Sequence, residues 1–105
     1  MMLFHTNKMH FHEVLEESRT KPVLLEFYAG WCAPCWALAP ELDAMSDRYA
    51  EVLSTYAVNT DTDAEIAEQY AVDKLPVILM LYRGTERRWE GEIRIEDIEA
   101  AVSAL

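Results

Sequence analysis

Trp31-Cys32-Ala33-Pro34-Cys35 contains the chain's only two cysteines, with two residues between them. Thiol–disulfide exchange needs one thiolate that can be reached and a second thiol near enough to displace the product. On a helical first turn, positions i and i+3 share a face, and the earlier sulfur lies nearer the helix start. There the unpaired N–H groups and the positive end of the helix dipole favour Cys32 as thiolate. Pro34 suits an early helical position, where its missing N–H costs little. The stretch reads as a redox pair.

The residues just before it decide the fold. Val23-Leu24-Leu25-Glu26-Phe27-Tyr28 is a nearly continuous apolar run, as in a strand covered on both faces. A strand with one wet face would make Leu24 and Tyr28 polar as well, because they share Glu26's side. Glu26 is therefore expected to be buried or half-buried. A carboxylate there needs a partner or a proton, and burial raises its pKa. A nearby lysine or a water at the strand edge is the plain alternative to a functional acid.

Downstream, Leu38, Leu42, Met45 and Tyr49 have helical spacing up to about Ala50, with a kink expected at Pro40. Residues 52–58 read as a weaker strand, and Asp63 as the cap of a short helix carrying Ile66, Ala67 and Tyr70. Residues 75–82 form a second buried run that turns at Arg83-Gly84, and Thr85 to Glu90 alternates loosely as an edge strand ended by Gly91. Ile95, Ile98, Val102 and Leu105 give the last helix its buried stripe, with Arg94 a poor cap. Upstream, residues 2–5 can make a short strand. Asn7 then caps a helix with Phe11, Val14, Leu15 and Ser18 on one side and Glu13, Glu16 and Glu17 on the other. The order βαβαβαββα predicts an α/β three-layer sandwich, a mixed five-stranded central sheet with helices on both faces.

Length and charge narrow the function. A chain of 105 residues without repeats or linkers fits one domain, residues 1–105. Nine basic against nineteen acidic residues give a net charge of −10, which disfavours nucleic acid and anionic membranes as partners. The acidity reads as solvated surface that keeps a monomer soluble. No apolar run approaches the roughly 18 residues needed to cross a bilayer. Met1-Met2-Leu3-Phe4 runs straight into polar residues, so a cytoplasmic location is expected. In that compartment a lone CxxC is catalytic or metal-binding rather than a structural staple.

Leu25-Glu26-Phe27-Tyr28-Ala29, Trp31-Cys32-Ala33-Pro34-Cys35, Pro40, Asn59-Thr60-Asp61, Leu75-Pro76, Arg83-Gly84 and Gly91 fall in the order and near the spacing of the thioredoxin family. The sequence resembles that family over essentially its whole length. The resemblance implies a thioredoxin-like sandwich. It also implies a protein-disulfide reductase cycling between a dithiol and a Cys32–Cys35 disulfide. Cys32 would attack, and Cys35 would be the buried resolving thiol. Pro76 would be a cis-proline facing them, with the backbone of Leu75 pairing to an extended substrate segment. Trp31, Ala33, Pro34, Leu75, Pro76 and Gly91 would rim the docking site, and Glu26 would accept the proton of Cys35 directly or through water. No bound cofactor is implied. Disulfide-containing proteins would be substrates, and a thioredoxin reductase using FAD and NADPH would recharge the pair.

Several positions depart from the family pattern. Ala33 stands where glycine is usual, which stiffens the turn and shifts the redox potential in a direction the sequence does not sign. Glu26 replaces an aspartate, and Ala57 an often-present lysine that would partner it. Trp36 replaces a common lysine and removes positive charge near the thiolate. The segment from Gly84 to Gly91 is one residue short, so a tighter hairpin or a missing bulge is expected. Trp36 and Trp89 read as packing or surface residues.

Two rival readings remain at this level. Leu25-Glu26-Phe27-Tyr28-Ala29 is similar to protein disulfide isomerase domains, which implies oxidase or isomerase work, although Pro34 stands where those domains carry histidine. The other rival is a non-catalytic module. In one form, Cys32 and Cys35 supply half a zinc site completed by two of His5, His10 and His12, which lack the usual ligand spacing.

Overall fold

The computed structural model describes residues 4–5 and 10–105. In chain order the elements are β1 (Phe4–His5), α1 (Phe11–Glu17), β2 (Val23–Tyr28), α2 (Ala33–Arg48), β3 (Ser54–Asn59), α3 (Ala64–Gln69), β4 (Val77–Tyr82), β5 (Thr85–Glu90) and α4 (Ile95–Ser103). The sheet order is β1-β3-β2-β4-β5. β1 and β2 both run parallel to β3, whereas β4 is antiparallel to β2 and β5 to β4. The sheet is mixed as expected. Among the described residues β1 contributes two, and each of the other four strands contributes six.

Alternation along β2 explains why its sequence is apolar almost throughout. Val23, Leu25 and Phe27 pack with Phe11 and Val14 of α1 and Ile66 and Ala67 of α3. Leu24 points the other way, into a cluster with Leu38, Leu42 and Met45 of α2 and Ile98, Ala101 and Val102 of α4. Two helices therefore cover each face, and β2 has no wet side. Ile78 and Met80 of β4 extend the α2/α4 core, and Val77, Leu79 and Leu81 the α1/α3 core.

The element ends show where local signals lost to context. α1 starts at Phe11 with His10 in the cap position and no capping side chain; Asn7 lies outside the described residues. Glu17 is not on an outer face. It turns toward β3 and accepts hydrogen bonds from Ser54 Oγ and Tyr56 OH. Burial and then the neighbouring Glu17 push the Tyr56 phenol up to about 12. β3 begins at Ser54 because Val52 and Leu53 close a turn, both donating their N–H groups to the Tyr49 carbonyl. Asp63 occupies the cap position of α3 without capping it; its Oδ2 accepts from Thr62 Oγ1 at 3.1 Å instead. β4 excludes Leu75 and Pro76, which are joined by a cis peptide bond. Leu105 lies beyond α4 and is 53 % exposed, so the buried stripe ends at Val102.

α2 continues as a helix through Pro40 for 16 residues, although Pro40 offers no N–H to the carbonyl of Trp36. Arg83 and Gly84 form a two-residue turn at φ 50° and 79°, the left-handed conformation that matches hairpin twist. Pairing then runs without interruption from Tyr82↔Thr85 to Val77↔Glu90. The short segment before Gly91 has no bulge, as its length suggested.

Ile98 is fully buried between α2 and the sheet. Ile98→Ala is expected to destabilise the fold by about 2–5 kcal/mol, read as a lower urea midpoint with an unchanged slope.

Candidate active site

β2 delivers the site directly. After Tyr28 the chain passes through buried Ala29 and exposed Gly30 and Trp31 to Cys32, whose N–H donates to the Ala29 carbonyl at 3.1 Å. Cys32 is the N-cap of α2 in extended conformation (φ −89°, ψ 101°), and Pro34 lies in the first turn. Cys32 and Cys35 are joined as a disulfide with Cα atoms 5.3 Å apart.

Burial does not separate the two sulfurs, because Cys32 is 3 % and Cys35 2 % exposed. Their places on the helix do. Cys32 Sγ accepts the Cys35 backbone N–H at 3.2 Å, whereas Cys35 sits one turn inside. When the bridge opens, that N–H and the dipole of α2 stabilise negative charge on Cys32.

The other expected rim residues converge from three elements. Trp31, Ala33 and Pro34 are exposed around the start of α2, and Leu75 and Gly91 are half-buried. Leu75 packs against the cluster of Ala29, Cys32 and Cys35. Gly91, at φ 76°, donates its N–H to the Pro76 carbonyl at 3.1 Å, which ties the end of β5 to the cis-proline segment. Pro76 itself is fully buried, so it stands behind the rim rather than on it.

Glu26 is 4 % exposed and lies in a cross-sheet row with Ala57 of β3 and Ile78 of β4. It shares the α2/α4 side of β2 with Leu24, the layer from which Cys35 rises. None of the described residues forms an ion pair with it. Burial pushes its carboxyl from the ordinary 4.5 up to about 7. Ala57 adds no compensating charge, so the acid exchanges a proton close to neutral pH.

Three side-chain contacts escaped the sequence reading. Trp31 Nε1 donates to Asp61 Oδ1 at 3.3 Å. Trp36 Nε1 donates to the Gly30 carbonyl at 2.9 Å. The Trp36 ring also meets Tyr28 edge-on, with centroids 6.4 Å apart. Asp61 follows β3, and β3 lies next to β2, so the strand order was the signal that could have brought Asp61 to the motif. Trp36 carried no such signal. Among the described residues, no group of three or more His, Cys, Asp and Glu is placed to hold a metal ion. No helix among them is long and apolar enough to cross a membrane.

Comparison with known proteins agrees with this geometry. The family model described as Thioredoxin matches residues 2–104. Thioredoxin Y, chloroplastic, of Oryza sativa subsp. japonica is 34 % identical over 97 residues, covering 88 % of this chain and 57 % of that protein. Thioredoxin 1 of Synechococcus elongatus is 39 % identical over 75 residues, covering 71 % of this chain and 67 % of its own. A thioredoxin of Griffithsia pacifica is 36 % identical over 74 residues, covering 70 % and 67 %. The chain thus spans little more than half the length of the rice relative.

The raised pKa of Glu26 makes stability pH-dependent in a defined direction. The native state holds this proton more tightly than the unfolded chain. Its contribution is therefore full below about 4.5 and is lost as pH rises to about 7. Glu26→Gln removes that loss. Its stability relative to the unsubstituted protein is expected to rise by up to about 3 kcal/mol between pH 4.5 and pH 8, measured by urea unfolding across that range.

Proposed function

The chain belongs to the thioredoxin family, and we propose that it is a protein thiol–disulfide oxidoreductase that reduces disulfides in other proteins. The observation that carries this reading is the Cys32–Cys35 bridge at the start of α2, with the Cys35 N–H directed at Cys32 Sγ.

In the reduced protein the Cys32 thiolate attacks one sulfur of a target disulfide. The target S–S bond breaks, a mixed disulfide forms, and the first target sulfur leaves as a thiolate. Cys35 gives its proton to Glu26 and attacks Cys32 Sγ. The second target sulfur leaves, two electrons have moved to the target, and Cys32–Cys35 is again bridged. A carboxyl with a pKa of about 7 suits the exchange, since it can take the proton and return it without a large penalty near neutral pH. Desolvation is what makes the acid basic enough.

An extended target segment would lie beside Leu75, its backbone pairing there, with Trp31, Ala33, Pro34 and Gly91 as the apolar rim. Backbone pairing reads little side-chain identity, which suits a reductase with many substrates. The implied partners are disulfide-containing proteins and a thioredoxin reductase that passes electrons from NADPH through FAD. The chain itself needs no resident cofactor in this reading. It works as a cytoplasmic monomer, where a lone CxxC is catalytic.

Cys32→Ser is expected to abolish reduction of insulin disulfides. Cys35→Ser should instead trap targets as mixed disulfides, seen on non-reducing gels and released by excess thiol. Turnover surviving in Cys32→Ser overturns the assignment. Equilibrated with a cytosol-like glutathione buffer, the pair should be mainly dithiol; a mainly bridged pair would reverse the proposed direction of electron flow.

A further inference from the structure

The two indoles beside the disulfide are exposed yet held. Trp31 is 72 % and Trp36 59 % exposed, and each has its single N–H committed, to Asp61 and to Gly30 respectively. One exposed aromatic needs no explanation. Two of them, fixed by hydrogen bonds at either end of the Cys32-Ala33-Pro34-Cys35 turn, present ring surface whose ordering cost is already met.

Trp31 is anchored toward β3, and Trp36 on the end of β2 and the loop that follows it. Trp31 is bonded to Asp61, which follows β3. Trp36 donates its backbone N–H to the Cys32 carbonyl at 3.3 Å and packs on Tyr28; Tyr28 is paired with Asn59 of β3. Leu75 and Pro76 precede β4, on the opposite side of β2. A segment lying beside Leu75 across Cys32 thus faces the Trp31 ring and the Asp61 carboxylate, with the Trp36 ring at the other end of the Cys32–Cys35 turn.

We infer that Trp31, Trp36 and Asp61 form a cation-reading wall, which favours target disulfides flanked by a lysine or arginine side chain. The inference rests on the disulfide-reductase reading and adds a substrate preference to it. An indole face carries negative electrostatic potential and attracts a guanidinium or ammonium group. The Asp61 carboxylate, which accepts the Trp31 N–H, adds negative charge beside the Trp31 ring. The net charge of −10 draws cationic segments from a distance. An apolar flanking residue could use the rings but gains nothing from Asp61, and an acidic one is repelled.

The test compares three disulfide-bonded peptides that differ only in the residue beside the attacked cysteine: Arg, Leu or Glu. Second-order rate constants for their reduction are measured with the reduced protein at low and high salt. Arg is expected to exceed Leu by roughly threefold to fivefold, and Glu to be slowest, with the Arg–Glu gap narrowing in salt. Trp36→Lys should bring the Arg-to-Leu ratio to one or below, whereas Trp36→Phe keeps part of it. Asp61→Asn retains an acceptor for Trp31 and should also lower the ratio. Equal Arg and Leu rates, a preference for Leu, or a ratio unmoved by Trp36→Lys overturns this inference alone. Failure to reduce any of the three peptides overturns the reductase reading and this one together.

Discussion

Burial of β2 on both faces is the constraint on which the rest depends. With Leu24 and Leu25 both fully buried on opposite sides, the strand is locked in register between β3 and β4 and between two helical layers. A one-residue slip would exchange its two core sets, so the register is strongly specified. The loop leaving the end of β2 inherits that rigidity. Cys32 closes this loop, so the site is carried at the end of a strand buried on both faces.

The same burial creates a charge problem inside the fold. Glu26 sits in the row of the strand that faces the α2/α4 core, with Ala57 and Ile78 on either side. A pKa near 7 means that folding at higher pH desolvates a carboxylate, at a cost of up to about 3 kcal/mol. The hydrophobic contacts of both cores absorb it. Desolvation at this one residue makes stability depend on pH.

Convergence of loops completes the site. The end of β2, the segment before β4 and the residue after β5 meet because β4 lies next to β2 and pairs with β5. Gly91 reaches Pro76 through a single hydrogen bond, and Leu75 packs on the cysteines. On the other side of β2, the end of β3 brings Asp61 to Trp31. The two walls differ in chemistry: exposed backbone and small side chains on one, aromatic rings and a carboxylate on the other.

Local sequence patterns determined the element order, the two-faced burial of β2 and β4, the buried position of Glu26 and the Arg83-Gly84 turn. Each follows from side-chain periodicity or from backbone preference at one or two residues. The pairing of Cys32 with Cys35 was legible for the same reason, since i and i+3 are neighbours on any helix. Tertiary structure alone decided the contacts between distant segments. Glu17 was assigned outward by its helix spacing, yet Ser54 and Tyr56 draw it inward. Pro76 is fully buried beside Leu75, and Leu105 lies outside the stripe that its spacing predicts. Trp36 reads as any surface aromatic until Gly30 and Tyr28 are seen to hold it. Periodicity reports which face a residue takes on its own element, whereas the neighbour on that face is set by strand order and loop closure over long separations.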